Sequence, residues 1–184
     1  MREFETQRLK LRILREDDAE AIFYGWAADP QVTKYLTWHP HTKLEETKYI
    51  VGVWLEEYKK DNTYRWCIER KEDGELIGMI DVVGYYHGDP VIGYCMAVRY
   101  WNHGYMTEAC KAVIQELFAS GFDSIRIEAI DENIGSNKVI KKCGFRFTEQ
   151  KIKPISQMKP DEIAAINYYK LDKSTANDSK QMKG

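Results

Sequence analysis

The stretch Ile92-Gly-Tyr-Cys-Met-Ala-Val-Arg-Tyr-Trp-Asn-His-Gly-Tyr-Met-Thr-Glu-Ala109 changes structural period within a few residues. Val91 to Val98 alternates as a half-buried strand does. From Gly104 to Ala119, Met106, Ala109, Cys110, Val113 and Leu117 instead recur at helical spacing. A strand that runs through a short loop into a helix leaves unpaired backbone N–H groups at the positive helix end. Gly104 lets a ligand approach that backbone closely, so a phosphate-bearing molecule is the expected occupant. The next strand pattern, Ser124 to Ile130, is reached through this helix, and a right-handed crossover would make the two strands parallel. Ligands in such sheets bind at the carboxyl ends of strands, which directs attention to residues 96 to 106.

Upstream, Arg8 to Ile13 alternates with Leu9, Leu11 and Ile13 on one side. A helix is predicted from Asp17, with Ala19, Ile22, Phe23, Trp26 and Ala27 as its stripe and Asp29-Pro30 as its stop. A second helix is predicted over Glu45 to about Lys60. Tyr64 to Arg70, Glu75 to Tyr85 and Val91 to Val98 then read as an antiparallel meander joined by EDG and HGD turns. Downstream come a helix from Asn133 to Cys143, capped by Gly144, and strands at Arg146 to Ile152 and Ala164 to Leu171. The fold class expected is α/β: one domain over residues 1–172 with a mixed, mostly antiparallel sheet, one parallel pair and flanking helices. Residues 173–184, KSTANDSKQMKG, have too little apolar surface to fold and are expected to be a disordered polar tail.

The 184 residues, 43% of them hydrophobic, suffice for one substantial core. With 27 basic and 29 acidic side chains the net charge is -2, so no long-range field favours nucleic acid or an anionic membrane. No apolar run approaches a spanning helix, and MREFETQRLKLR lacks the apolar core of a signal peptide, so a cytoplasmic location is expected. Cys67, Cys95, Cys110 and Cys143 are widely spaced within apolar patterns, which predicts buried thiols rather than disulfides or a metal site. Neither GxGxxG nor GxxxxGK[ST] occurs, which disfavours a dinucleotide or P-loop nucleotide site.

The stretch from Ile92 to Ala109 resembles the acetyl-CoA-binding motif of the GCN5-related N-acetyltransferases, especially the branch of RimJ- and RimL-type ribosomal-protein N-acetyltransferases. Two further parts agree: the opening TQRLKLRILREDDAEAIF with DPQVTKYLTW and PHTKLEET, and N133-I-G-S-N-K-V-I-K-K-C-G-F145. The resemblance covers Thr6 to about Phe147 and implies transfer of an acetyl group from acetyl-CoA to an amine. It implies that the strand Val91–Val98 splays from its parallel neighbour, giving a splayed parallel strand pair, and that Met96, Ala97 and Val98 form the edge holding the pantetheine arm and acetyl carbonyl. It further implies that the backbone of Asn102, His103, Gly104, Tyr105 and Met106, with Thr107, holds the pyrophosphate. The family pattern Arg/Gln-x-x-Gly-x-Gly/Ala is not kept, since Trp101 stands first and Met106 last. Main-chain donors do most of that binding, so the site is expected to survive the change.

Acetyl transfer needs a neutral amine, a stabilised oxyanion and a proton for the departing thiolate. Many members of the family place a tyrosine acid where this chain has Ile140. The resemblance then implies Ser136, one turn earlier and beside Asn133, as the acid facing the sulfur. Asp81, sharing a strand face with Ile77, Met79 and Val83, is the candidate base, with Glu69, His39, His41, His87 and His103 as alternatives. At pH 7 a lysine costs about 4.6 kcal/mol to deprotonate and an α-amine about 1, which favours a protein or peptide N-terminus as acceptor. Small amines such as polyamines or aminoglycosides, and a non-catalytic acyl-CoA sensor, are the alternatives. A monomer or homodimer is expected.

Overall fold

The computed structural model describes residues 1–60 and 62–176. Eight strands form one sheet in the order β1 (Phe4–Glu5), β2 (Leu9–Arg12), β3 (Arg65–Arg70), β4 (Leu76–Tyr86), β5 (Asp89–Met96), β6 (Ser124–Ile130), β8 (Lys159–Asp172), β7 (Arg146–Ser156). Every neighbouring pair is antiparallel except β5 and β6, which are joined by the helix α4 (Tyr105–Ala119). The mixed sheet with one parallel pair is therefore the one expected from residues 91 to 130.

Alternation sends β3 and β4 side chains to two different layers. Trp66 packs edge-on with Phe4 and tilts against Tyr64, which meets Phe122 just beyond α4. Cys67, on the opposite face, approaches Asp18 in the first helical turn of the chain. Both faces are thus covered, which explains why Trp66, Cys67, Ile68, Ile77 and Ile80 are all fully buried. Arg12 at the end of β2 ties the layers together. Its guanidinium donates to both Asp18 oxygens at 2.7 and 2.8 Å and, through Nε, to Glu69 at 2.5 Å.

Four local expectations are corrected. The helix predicted from Asp17 is a 3-10 turn (Glu16–Asp18), α1 (Ala19–Ile22) and a wide π-type turn (Phe23–Ala27). Asp29-Pro30 starts a helix rather than stopping one: Asp29 accepts the Gln31 amide and Pro30 opens α2 (Pro30–Thr33). After α3 (Leu44–Glu57), β5 ends at Met96, and Val98 begins a 3-10 turn (Val98–Tyr100). The last two strands extend towards each other into one long hairpin. Of the tail, residues 173–176 form a helical turn whose Ala176 packs against the core, and residues 177–184 lie outside the described residues.

Candidate active site

The site begins where β5 loses one neighbour. The β4 register continues to Gly78 opposite Met96, whereas the parallel register with β6 ends at Ile92 opposite Ile127. From Gly93 onward β5 is paired on one side only, which is the splay that the resemblance implies. Ala97 donates its amide to Ile77 of β4 at 3.0 Å, so alternation turns the Met96 amide towards the gap. The Met96 carbonyl accepts from Trp101 Nε1 at 2.7 Å. Trp101, the departure from the family pattern, therefore pins the strand end to the turn that follows it.

That turn needs left-handed backbone at Asn102 (φ 64°) and Gly104 (φ 80°), the latter immediately preceding α4. No side chain caps α4, and its first ladder bond runs from the Glu108 amide to the Gly104 carbonyl at 3.0 Å. The amides of Tyr105, Met106 and Thr107 thus have no intrahelical acceptor and are free to hold an anion. The Tyr105 and Met106 side chains are buried, leaving the backbone as the presented surface. Arg8 clamps this turn from β2's approach: it donates to the His103 carbonyl at 3.0 Å and to Glu108 at 2.7 Å, and lies 4.4 Å over the Tyr105 ring. Glu108 also accepts from the Thr6 hydroxyl and the Arg8 amide. Burial works to raise its carboxyl, but these donors outweigh burial and hold it below the ordinary value.

The opposite wall is α5 (Ile134–Lys142). Asn133 is its N-cap and accepts the Ser136 amide at 3.1 Å, yet Asn133 and Ser136 both also line the cleft. Asn137 fixes the helix to the sheet, donating to the Ile130 and Asn133 carbonyls and accepting from Asn167 and the Tyr169 hydroxyl. Ile140 faces the core with no exposed surface.

The resulting cleft has a volume of ≈ 560 Å³ and lies between the end of β5, the start of α4 and α5. Of the expected residues it gathers Met96, Asn102, Gly104, Tyr105, Met106, Thr107, Asn133 and Ser136. It does not gather three others. Ala97 is buried against β4, Val98 has left the strand, and His103 turns its ring onto Tyr105 and the Trp101 carbonyl. Unforeseen lining residues are Tyr94 and Cys95 from β5, Tyr35 and Leu36 beyond α2, and the exposed Lys138 and Lys142 on α5. The two lysines are four residues apart, a helical spacing readable in NKVIKK.

Asp81 is not brought to the cleft. It lies on β4 opposite Gly93, on the face of the sheet away from Ser136, with Arg65 Nε at 3.1 Å. Burial raises its carboxyl above the usual range, against the pull of Arg65. Glu69 is held by Arg12, and His87 sits in the β4–β5 turn with φ 51°. His39 bonds the Met158 carbonyl at 3.1 Å and His41 the Thr47 hydroxyl at 2.7 Å; both border a separate shallow cavity of ≈ 580 Å³. Cys67 and Cys110 are buried, whereas Cys95 reaches the cleft wall. Burial pushes the Cys95 thiol up to about 12, so it is no nucleophile at neutral pH. Among the described residues no three His, Cys, Asp or Glu side chains form a metal cluster, and no helix is long and apolar enough to cross a membrane.

Residues 8–146 match the model of the Acetyltransferase (GNAT) domain. The chain belongs to the GNAT acetyltransferases. The uncharacterized N-acetyltransferase YoaA of Bacillus subtilis is 31% identical over 145 residues, 77% of this acetyltransferase and 81% of YoaA. A putative ribosomal-protein-serine acetyltransferase from Vibrio cholerae shares the fold with a TM-score of 0.79 at 21% identity, covering 93% of this chain and 97% of that one. RimL, a ribosomal L7/L12 α-N-protein acetyltransferase in complex with coenzyme A, gives a TM-score of 0.80 at 17% identity, covering 93% and 98%. The GNAT acetyltransferase is thus an acetyl-transferring enzyme. Its uncapped helix start, splayed strand and flanking lysines fit the diphosphate, pantetheine and further phosphate of acetyl-CoA.

Proposed function

We propose that this enzyme acetylates a primary amine by direct attack on acetyl-CoA in a ternary complex, the preferred acceptor being the α-amine of a protein or peptide. The observation that carries the reading is that the Ser136 hydroxyl and the uncapped start of α4 line one cleft. The diphosphate lies on the Tyr105, Met106 and Thr107 amides, the pantetheine arm follows the unpaired side of β5 past Met96, and the thioester sulfur comes to Ser136. Ser136 then supplies the proton to the departing thiolate. The α-amine is favoured because it costs about 1 kcal/mol to deprotonate at pH 7, against about 4.6 for lysine. Two fold neighbours, the Vibrio cholerae protein and RimL, are named for ribosomal-protein acetylation, which supports the same acceptor class.

Asp81, the base expected from the sequence, is left out of this reading: burial raises it, but it lies outside the cleft, on the face of the sheet away from Ser136. Its ion pair with Arg65 also works against a role as base, so Asp81→Asn should leave kcat unchanged, and a fall in kcat at unchanged stability would return Asp81 to the mechanism.

A free-thiol assay with acetyl-CoA and a panel of N-terminal peptides, polyamines and aminoglycosides tests the whole. Fastest thiol release with peptides is expected, and Ser136→Ala should lower kcat with little change in acetyl-CoA affinity. Tight acetyl-CoA binding without turnover of any amine would make the chain an acyl-CoA sensor instead.

A further inference from the structure

Ser136 is held on two sides in different ways. Its backbone is fixed by the Asn133 cap, but a serine side chain has three staggered rotamers and directs its proton only if something selects one. The selecting group comes from the strand below. Tyr94, two residues before Met96 on the same strand face, places its hydroxyl 2.9 Å from Ser136 Oγ and 3.3 Å from the Ser136 carbonyl. Both side chains line the acetyl-CoA cleft.

The distances choose the direction of the bond. A hydroxyl donor prefers an acceptor at about 2.5–3.0 Å. If Ser136 donated to Tyr94, the phenol proton would be left with the more distant carbonyl, which already lies within the ladder of α5. The favoured arrangement has the phenol donating to Oγ. Burial supports it by raising Tyr94 well above an ordinary phenol, so the ring stays protonated and remains a donor.

The geometry points to Tyr94 as a positioning residue that donates to Ser136 Oγ and thereby aims the Ser136 hydroxyl proton into the cleft, at the thioester sulfur. This rests on the proposed role of Ser136. In the step itself the amine nitrogen forms its bond to the acetyl carbon, the C–S bond breaks, and the Ser136 proton passes to the leaving sulfur. Tyr94 holds the charge that develops on Oγ, and the proton shed by the amine returns to Oγ through water in the open cleft. No net proton is gained or lost by the protein.

The experiment is a double-mutant cycle of Tyr94→Phe and Ser136→Ala, read as thiol release from acetyl-CoA with a serine-initiated peptide and as acetyl-CoA affinity by calorimetry. Tyr94→Phe is expected to lower kcat about tenfold, the size of one hydrogen bond to a developing charge, with Kd unchanged within about twofold. In the Ser136→Ala background the same change should cost less than about twofold. An unchanged Kd shows that the variants are folded. An equal loss in both backgrounds, or no loss beside an impaired Ser136→Ala, overturns the positioning role and leaves the Ser136 reading standing. An unimpaired Ser136→Ala removes Ser136 and the inference with it.

A second measurement needs no acceptor: the thiolate absorbance of bound coenzyme A, titrated as a difference against the same protein without it. Tyr94→Phe and Ser136→Ala should each raise the pKa of the bound thiol, and the double variant should raise it no further. A thiol pKa that Tyr94→Phe leaves unmoved while Ser136→Ala raises it counts against the inference.

Discussion

Gly78→Ala probes the mouth of the cleft without removing a polar group. Gly78 lies on β4 opposite Met96, and a Cβ there would sit 2.4 Å from the Cys95 carbonyl oxygen and 3.1 Å from Met96 Cα. That is about 1 Å closer than ordinary van der Waals contact, and the obstructing atoms are backbone, so the end of β5 must move. Overpacking of this kind costs about 1–3 kcal/mol, which for a chain of this length lowers Tm by about 3–9 °C. The displaced strand carries the Met96 amide, and a misplacement of about 1 Å near reacting groups costs on the order of a hundredfold in rate. Thermal unfolding and kcat/KM with acetyl-CoA measure the two effects. Gly84→Ala, on the same strand with nothing within 4 Å of the added atom, is the control and should change Tm by no more than a degree or two. A Gly78→Ala enzyme with wild-type Tm and kcat/KM would refute the close β4–β5 register on which the splay depends.

Glu108→Gln should remove part of the acid lability. The folded carboxyl is held below its ordinary 4.5, so its stabilisation is complete above that value and disappears as pH falls through the lower folded pKa. Urea midpoints measured from pH 7 to pH 3 should therefore fall less steeply in the variant. Asn137→Leu should cost about 1–3 kcal/mol by leaving the Tyr169 hydroxyl without its acceptor and removing one of the two donors to the Ile130 carbonyl, read as a lowered urea midpoint with an unchanged slope.

The order of elements from Leu9 to Ile130 could be read from the sequence because both periods are strong there. Ile77, Met79, Trp66 and Ile68 alternate or run together as buried strands do, and Ala109, Val113 and Leu117 repeat as one helix stripe. The two last strands were also read, but not the full length of their hairpin, because every β7 side chain from Arg146 to Ile152 is exposed and Pro154 interrupts the pattern before the turn. Asp29-Pro30 was ambiguous on its own terms: the pair that ends one helix is equally a cap and first residue for the next.

The left-handed turn at Gly104 was legible because a glycine before an amphipathic helix is a local signal. Tyr94 was not, since in Ile92-Gly-Tyr-Cys-Met96 it reads as another apolar strand position, and its meeting with Ser136 spans 42 residues of chain. Asp81 shows the converse. Its apolar strand face correctly indicated a raised carboxyl, but Arg65, brought opposite by the register of β3, could not be seen from residues 77 to 83.

Hydrogen–deuterium exchange with and without acetyl-CoA tests most directly whether main-chain donors at the splay and the helix start hold the cosubstrate. Binding should protect the amides of Tyr105, Met106 and Thr107 together with that of Met96, all of which are expected to exchange readily without it. Acetyl-CoA that binds while those four amides exchange at their free rates would contradict it.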